Sequence, residues 1–140
     1  MQAYKFSLEK VLQWRTDKEK KISKELASVQ KELHREESSL KNLPNEFNEA
    51  KGKMLSYRSI SKLQQQRLYI STIEEKIKAK EHVIEKINKR IEKTRQELLA
   101  AQKDRRIIEK LKEEDFIDYK KNLASISQKE LDEAAILRYK

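Results

Sequence analysis

At 140 residues the chain is about the length of one domain, with one Gly, one Pro and no Cys. Turns need Gly, Pro and Asn, so a loop-rich globular enzyme of this size is excluded, as are disulfides and thiolate metal sites. Charged residues make up 41% and the net charge is +9, the profile of a long helix or coiled coil.

The charge is uneven. Residues 1–24 carry 7 basic and 3 acidic side chains, 25–50 carry 3 and 6, 51–112 carry 18 and 8, and 113–140 carry 5 and 7. A basic stretch of this kind can meet nucleic acid or an anionic membrane. The interleaving of opposite signs also fits a solvated coiled-coil surface. No apolar run approaches the length of a membrane span and no signal peptide opens the chain, so the expected location is the cytoplasm.

The first apolar ladder runs Ile22, Leu26, Val29, Leu33, Leu40, Leu43, Phe47, Ala50 and Met54, with Glu36 as its polar rung. Leu8 and Leu12 extend it backward through Arg15 and Glu19. Alternating steps of four and three sustained over several repeats mark a heptad seam. Pro44 removes one backbone donor, but the ladder keeps its phase across it, so a kink is expected and not a break.

Residues 52–61 hold the only Gly and three Ser, with Ser59 or Ser61 as N-cap for a second helix. The hairpin turn is placed at about 56–60, helix one at about 4–55 and helix two at about 61–138, in one coiled-coil domain over 1–140. The second ladder runs Leu63, Ile70, Ile73, Ile77, Ile84, Ile87, Ile91, Thr94, Leu98 and Ala101, with Lys80 as a polar rung. It continues through Arg105 to Ile108, slips in phase, and resumes as Phe116, Tyr119, Leu123 and Ile126.

The fold class predicted is all-α: two long helices in an antiparallel coiled-coil hairpin, the second longer and overhanging. Facing residue numbers sum to about 117, which sets Leu40 against Ile77, Leu33 against Ile84 and Leu26 against Ile91. Helix one then reaches only about residue 112, and some 25 residues of helix two project about 40 Å beyond it. Phe116, Tyr119, Leu123 and Ile126 would lack cover, and a naked apolar stripe marks a binding surface, a second copy or a fraying tail.

No catalytic constellation and no cofactor or metal site is expected. His34 and His82 lack the company of other ligands, and Glu113, Glu114 and Asp115 point in different directions around a helix. Trp14 lies roughly 130° from its seam, and Phe6 and Ile107 also point outward. Aromatic residues on an outer face are enriched among interface anchors. Leu55, Ile60 and Leu68 are likewise hard to bury in a two-helix seam. Arg15 and Arg105 occupy seam positions close to Glu19, so this level is either held by Glu19 or open toward a partner's carboxylates.

The opening from Tyr4 through Phe6, Leu8, Val11 and Leu12 to Arg15 resembles the start of the FliJ family of the bacterial flagellar type III export apparatus. The segment Leu68, Tyr69, Ile70, Ser71, Thr72, Ile73 is similar to that family's stretch after the hairpin. The ending Leu131, Asp132, Glu133, Ala134, Ala135, Ile136, Leu137, Arg138 resembles its tail. Trp14 stands where the family usually has a polar residue.

The resemblance implies a non-enzymatic cytoplasmic coiled coil, similar to the central stalk of rotary ATPases and peripheral to the inner face of the cell membrane. It implies a role in flagellum biogenesis and so in motility and chemotaxis. Its implied partners are the export ATPase ring, the export-gate membrane protein and substrate chaperones, with no small-molecule substrate. It places ATPase binding at the end that carries both termini, where the outward-facing, overhanging and seam residues are Phe6, Trp14, Arg15, Arg105, Phe116, Tyr119, Leu123, Ile126, Asp132 and Glu133. It places export-gate contacts in the turn-proximal half, where Leu55, Ile60, Leu68 and Tyr69 lie. A nucleic-acid-binding helical arm and a generic coiled-coil adaptor are the alternatives. The first lacks aromatic residues interleaved with the charge of 51–112.

Overall fold

The computed structural model describes residues 3–139. The order of elements is α1 (Glu9–Lys41), α2 (Leu43–Met54) and α3 (Ile60–Arg138), with no strand among the described residues. The α1–α2 arm packs against α3 as a helical hairpin.

Pro44 sets the bend in the first arm. Its missing N–H would have donated to the carbonyl of Leu40, and its ring crowds that carbonyl. The assigned helix is interrupted at Asn42 alone, which stays right-handed helical at φ −86° and ψ −20°. The carbonyl of Asn42 then accepts from the N–H of Glu46 at 3.2 Å. The apolar ladder therefore crosses the proline in phase. Leu40, Leu43, Phe47 and Met54 are half-buried and Ala50 is buried.

Residues 55–59 connect the arms. Ser56 Oγ donates to the carbonyl of Lys53 at 2.7 Å, occupying one of the acceptors a helix end leaves open. Ser59 stands just before α3, and its carbonyl accepts from the N–H of Leu63 at 3.0 Å, as an N-cap residue's does.

The chain forms two compact units: Ile22–Glu97, and Met1–Lys21 with Leu98–Lys140. In the turn-proximal unit, Ala50, Ile70 and Ile73 form one buried cluster under Phe47, Met54 and Ile77. Val29, Ile87 and Ile91 form another, with Leu26 and Leu33 packed on it. Leu26 and Ile91 thus share a cluster, as the register predicts. The two polar rungs of the ladders meet each other: Lys80 Nζ lies 2.7 Å from Glu36 Oε2.

In the unit that carries both termini, Ala101 and Ile108 are buried. Helix one, expected from about residue 4, begins at Glu9; residues 3–6 are non-helical and Ser7 and Leu8 form a turn. The physical reason is reach. An extended residue advances about 3.3 Å against 1.5 Å in a helix, so the non-helical lead carries Tyr4 farther along α3.

Candidate partner-binding surfaces

Within the unit carrying the termini, Tyr4 packs on α3 where the sequence led one to expect bare surface. Its ring meets Phe116 edge-on at 5.0 Å and Tyr119 at 5.2 Å between centroids. Its hydroxyl donates to Asp115 Oδ2 at 3.0 Å and to the carbonyl of Lys112 at 3.4 Å. Burial, then the hydrogen bond to Asp115, then the charges of Asp115 and Glu9 raise its pKa above the ordinary tyrosine value of 10.0. The expectation that Phe116 and Tyr119 lack intrachain cover is therefore corrected. Phe116 keeps part of its ring exposed under Lys120, whose ammonium lies 4.7 Å from the ring centre.

Arg105 is held inside the chain. Its Nε donates to Glu19, and Nη1 donates to Glu109 at 2.7 Å. These two hydrogen bonds raise its pKa further, against a smaller opposing effect of burial. Arg15 donates from Nη1 to the carbonyl of Asp104 at 2.7 Å, and Lys112 bridges to Glu9 at 2.8 Å. Of the two readings of this level, the structure favours the one in which Glu19 holds it. Arg15 and Arg105 are half-buried, so neither offers a free guanidinium to a partner.

The other expected anchors differ in exposure, and Leu123, expected bare, is partly covered. Trp14 is 63% exposed, with Lys18 Nζ 5.4 Å from its ring centre. Phe6 and Leu123 are half-buried. From 124 to 139 every described residue is exposed, including Ile126, Leu131, Asp132, Glu133, Ile136 and Leu137. Asp132 accepts from the amide of Gln128 at 3.1 Å, an intrahelical contact that leaves the carboxylate at the surface.

In the turn-proximal unit, Leu55, Ile60, Leu68 and Tyr69 are all at least half exposed. Beside them lies an open cleft of about 350 Å³, lined by Glu46, Glu49, Ala50, Lys53, Tyr57, Gln66 and Tyr69. Gln66 Nε2 donates to the carbonyl of Ala50 at 3.0 Å and fixes the cleft floor. Gln66 is a polar rung of the second ladder, between Leu63 and Ile70, and Tyr57 lies one step past Met54, so an apolar search passes over the first and stops short of the second. Tyr4 escapes it because it is not helical at all.

Among the described residues no group of three or more His, Asp or Glu could hold a metal ion, and His34 and His82 are exposed. No helix of the described residues is long and apolar enough to cross a membrane. What remains is a helical hairpin that presents apolar and aromatic side chains on two surfaces, a form suited to protein–protein contact. The chain matches the family described as flagellar FliJ protein over residues 4–140. It belongs to that family, and its role is in flagellar protein export. No curated protein and no solved structure matches it.

Proposed function

We propose that the chain serves flagellar export as a non-enzymatic coupling component, acting as one coiled-coil domain. The unit carrying both termini binds the export ATPase ring in a stalk-like manner. The turn-proximal surface binds the export-gate membrane protein, and the two contacts together support delivery of chaperones and substrates. The chain works in the cytoplasm, peripheral to the inner face of the cell membrane.

One observation carries this reading: the C-terminal part of α3 keeps Ile126, Leu131, Ile136 and Leu137 exposed with no described residue covering them. Ile126 and Leu137 share one face of the helix and Leu131 and Ile136 lie on others, and exposed aliphatic side chains gathered over so short a segment mark an interaction site. Trp14 adds an aromatic anchor in the same unit. Arg15 and Arg105 act by holding the unit together.

Deleting residues 124–140 tests the ATPase contact. A cut at 114 would also remove Asp115, Phe116 and Tyr119, which hold Tyr4, and so would confound binding with folding. Loss of several anchors, each typically worth about 2 kcal/mol, should weaken binding at least a hundredfold. Normal binding and stimulation by the shortened chain would sink the ATPase reading. The gate contact is tested separately: Leu68→Asp with Tyr69→Ala should weaken gate-protein binding while helicity by circular dichroism is unchanged. Unaltered gate affinity would remove that half.

A further inference from the structure

The back of α3 in the unit carrying the termini presents a second kind of surface. Leu99, Ile107 and Leu111 are 58%, 56% and 43% exposed. Lys103, Arg106 and Lys110 are exposed beside them. At 100° per residue these six side chains fall in an arc of about 140°. Buried Ala101 and Ile108 occupy the opposite side of the helix.

The charges of this stretch are sorted by direction. Arg105 and Lys112 turn toward α1, into pairs with Glu19 and Glu9. Glu109 turns the same way and accepts from Arg105. Asp104 falls just beyond the edge of the arc. Lys103, Arg106 and Lys110 have no ion pair among the described residues. From 99 to 111 the outer face thus carries cations and aliphatics, and Glu113 and Glu114 end it.

The shape and chemistry select the occupant. The face is the convex back of one helix, about 20 Å long, with no groove to seat a partner's side chains. It holds no aromatic ring on which a base could stack. Aliphatic side chains flanked by Lys and Arg on a helix face are what a helix lying in a headgroup layer needs. The hydrocarbon enters the boundary region while the long cationic stems reach back to the phosphates.

We infer that this stripe binds an anionic phospholipid surface, with Leu99, Ile107 and Leu111 entering the headgroup boundary and Lys103, Arg106 and Lys110 meeting lipid phosphates. The stripe shares no residue with those proposed for the export ATPase and gate contacts, so its failure would leave those readings standing.

Flotation of the full chain with phosphatidylcholine vesicles, with and without phosphatidylglycerol, tests it. Binding should require phosphatidylglycerol and fall as salt rises. Neutralising each of Lys103, Arg106 and Lys110 to Gln should lower partitioning about fivefold, and all three together roughly a hundredfold. Ile107→Ser should weaken binding even at low salt, which a purely electrostatic attraction would not do. All these positions are exposed, so circular dichroism should be unchanged. Trp14, the sole tryptophan, reports on the outer face of α1, and its emission should not shift. The inference is overturned by absent binding to phosphatidylglycerol vesicles, by an unaffected triple variant, or by a blue shift that makes the Trp14 face the contact.

Discussion

The two units of the hairpin are held by different chemistry. The turn-proximal unit has an aliphatic interior: Val29, Ile70, Ile73, Ile87 and Ile91, crossed by one ionic rung, Glu36 with Lys80. The unit with the termini buries Ala101 and Ile108 and otherwise relies on Arg105 between Glu19 and Glu109, on Lys112 with Glu9, and on Tyr4 against two rings. Aliphatic side chains packed between the two arms can meet another protein only if the arms separate. Ion pairs and ring contacts at a surface can be exchanged for a partner's. The difference separates a region built to stay folded from one built to be engaged, and local stability in proteins commonly divides this way.

The largest effect should come from the aliphatic unit. Ile73 is 2% exposed, and Ile73→Ala removes buried methyl groups and leaves a cavity. A loss of about 3 kcal/mol is expected in urea or thermal unfolding. Ile126→Ala, at an exposed site of the other unit, should cost under about 0.5 kcal/mol in the same measurement. Equal costs at the two sites would erase the contrast.

Much of this contrast was written in the ladders. Steps of four and three place Ile73, Ile87 and Ile91 on one face, and the register that follows puts Leu26 with Ile91. Pro44 read correctly as a kink because the phase on either side agreed. The same reasoning failed at the start of the chain. Period arguments assume a helix, and residues 3–8 are not one, so the cover that Tyr4 gives to Phe116 and Tyr119 was invisible to them. Trp14, Ile107 and the last turns of α3 were legible as outward-facing. What binds there was not, because a partner's chemistry leaves its trace in family likeness and not in spacing.

A medium effect should come from the ionic rung. Lys80 and Glu36 are each about one-quarter to one-third exposed, so their attraction is partly offset by lost hydration. Replacing both, Glu36→Leu with Lys80→Leu, should raise stability by about 1–2 kcal/mol, since apolar side chains pack a seam better than a half-buried pair. Unfolding in urea checks the gain. A double variant less stable than the unaltered chain would show that the pair carries stability, and the aliphatic description of this unit would need revision.

The smallest effect is local, and it concerns Tyr4. Its pKa lies above the ordinary 10.0 because burial and the nearby Asp115 carboxylate both disfavour the phenolate. A group whose folded pKa is raised contributes stability that is fully present below its unfolded value and is lost as pH rises through the folded one. Near neutral pH the ring therefore stays seated on Phe116 and Tyr119. Above pH 10.0 the phenolate that forms on release pulls the segment 3–8 away from α3. Hydrogen exchange at Phe6 to Leu12 should accelerate over that alkaline range, while exchange at Ile87 and Ile91 stays slow. Tyr4→Phe keeps the ring contact, loses the hydroxyl's bonds to Asp115 and Lys112, and should flatten the pH dependence. An unchanged alkaline release in Tyr4→Phe would assign it to another group. A release that spread to Ile87 would mean that the two units open together, and the division drawn between them would not hold.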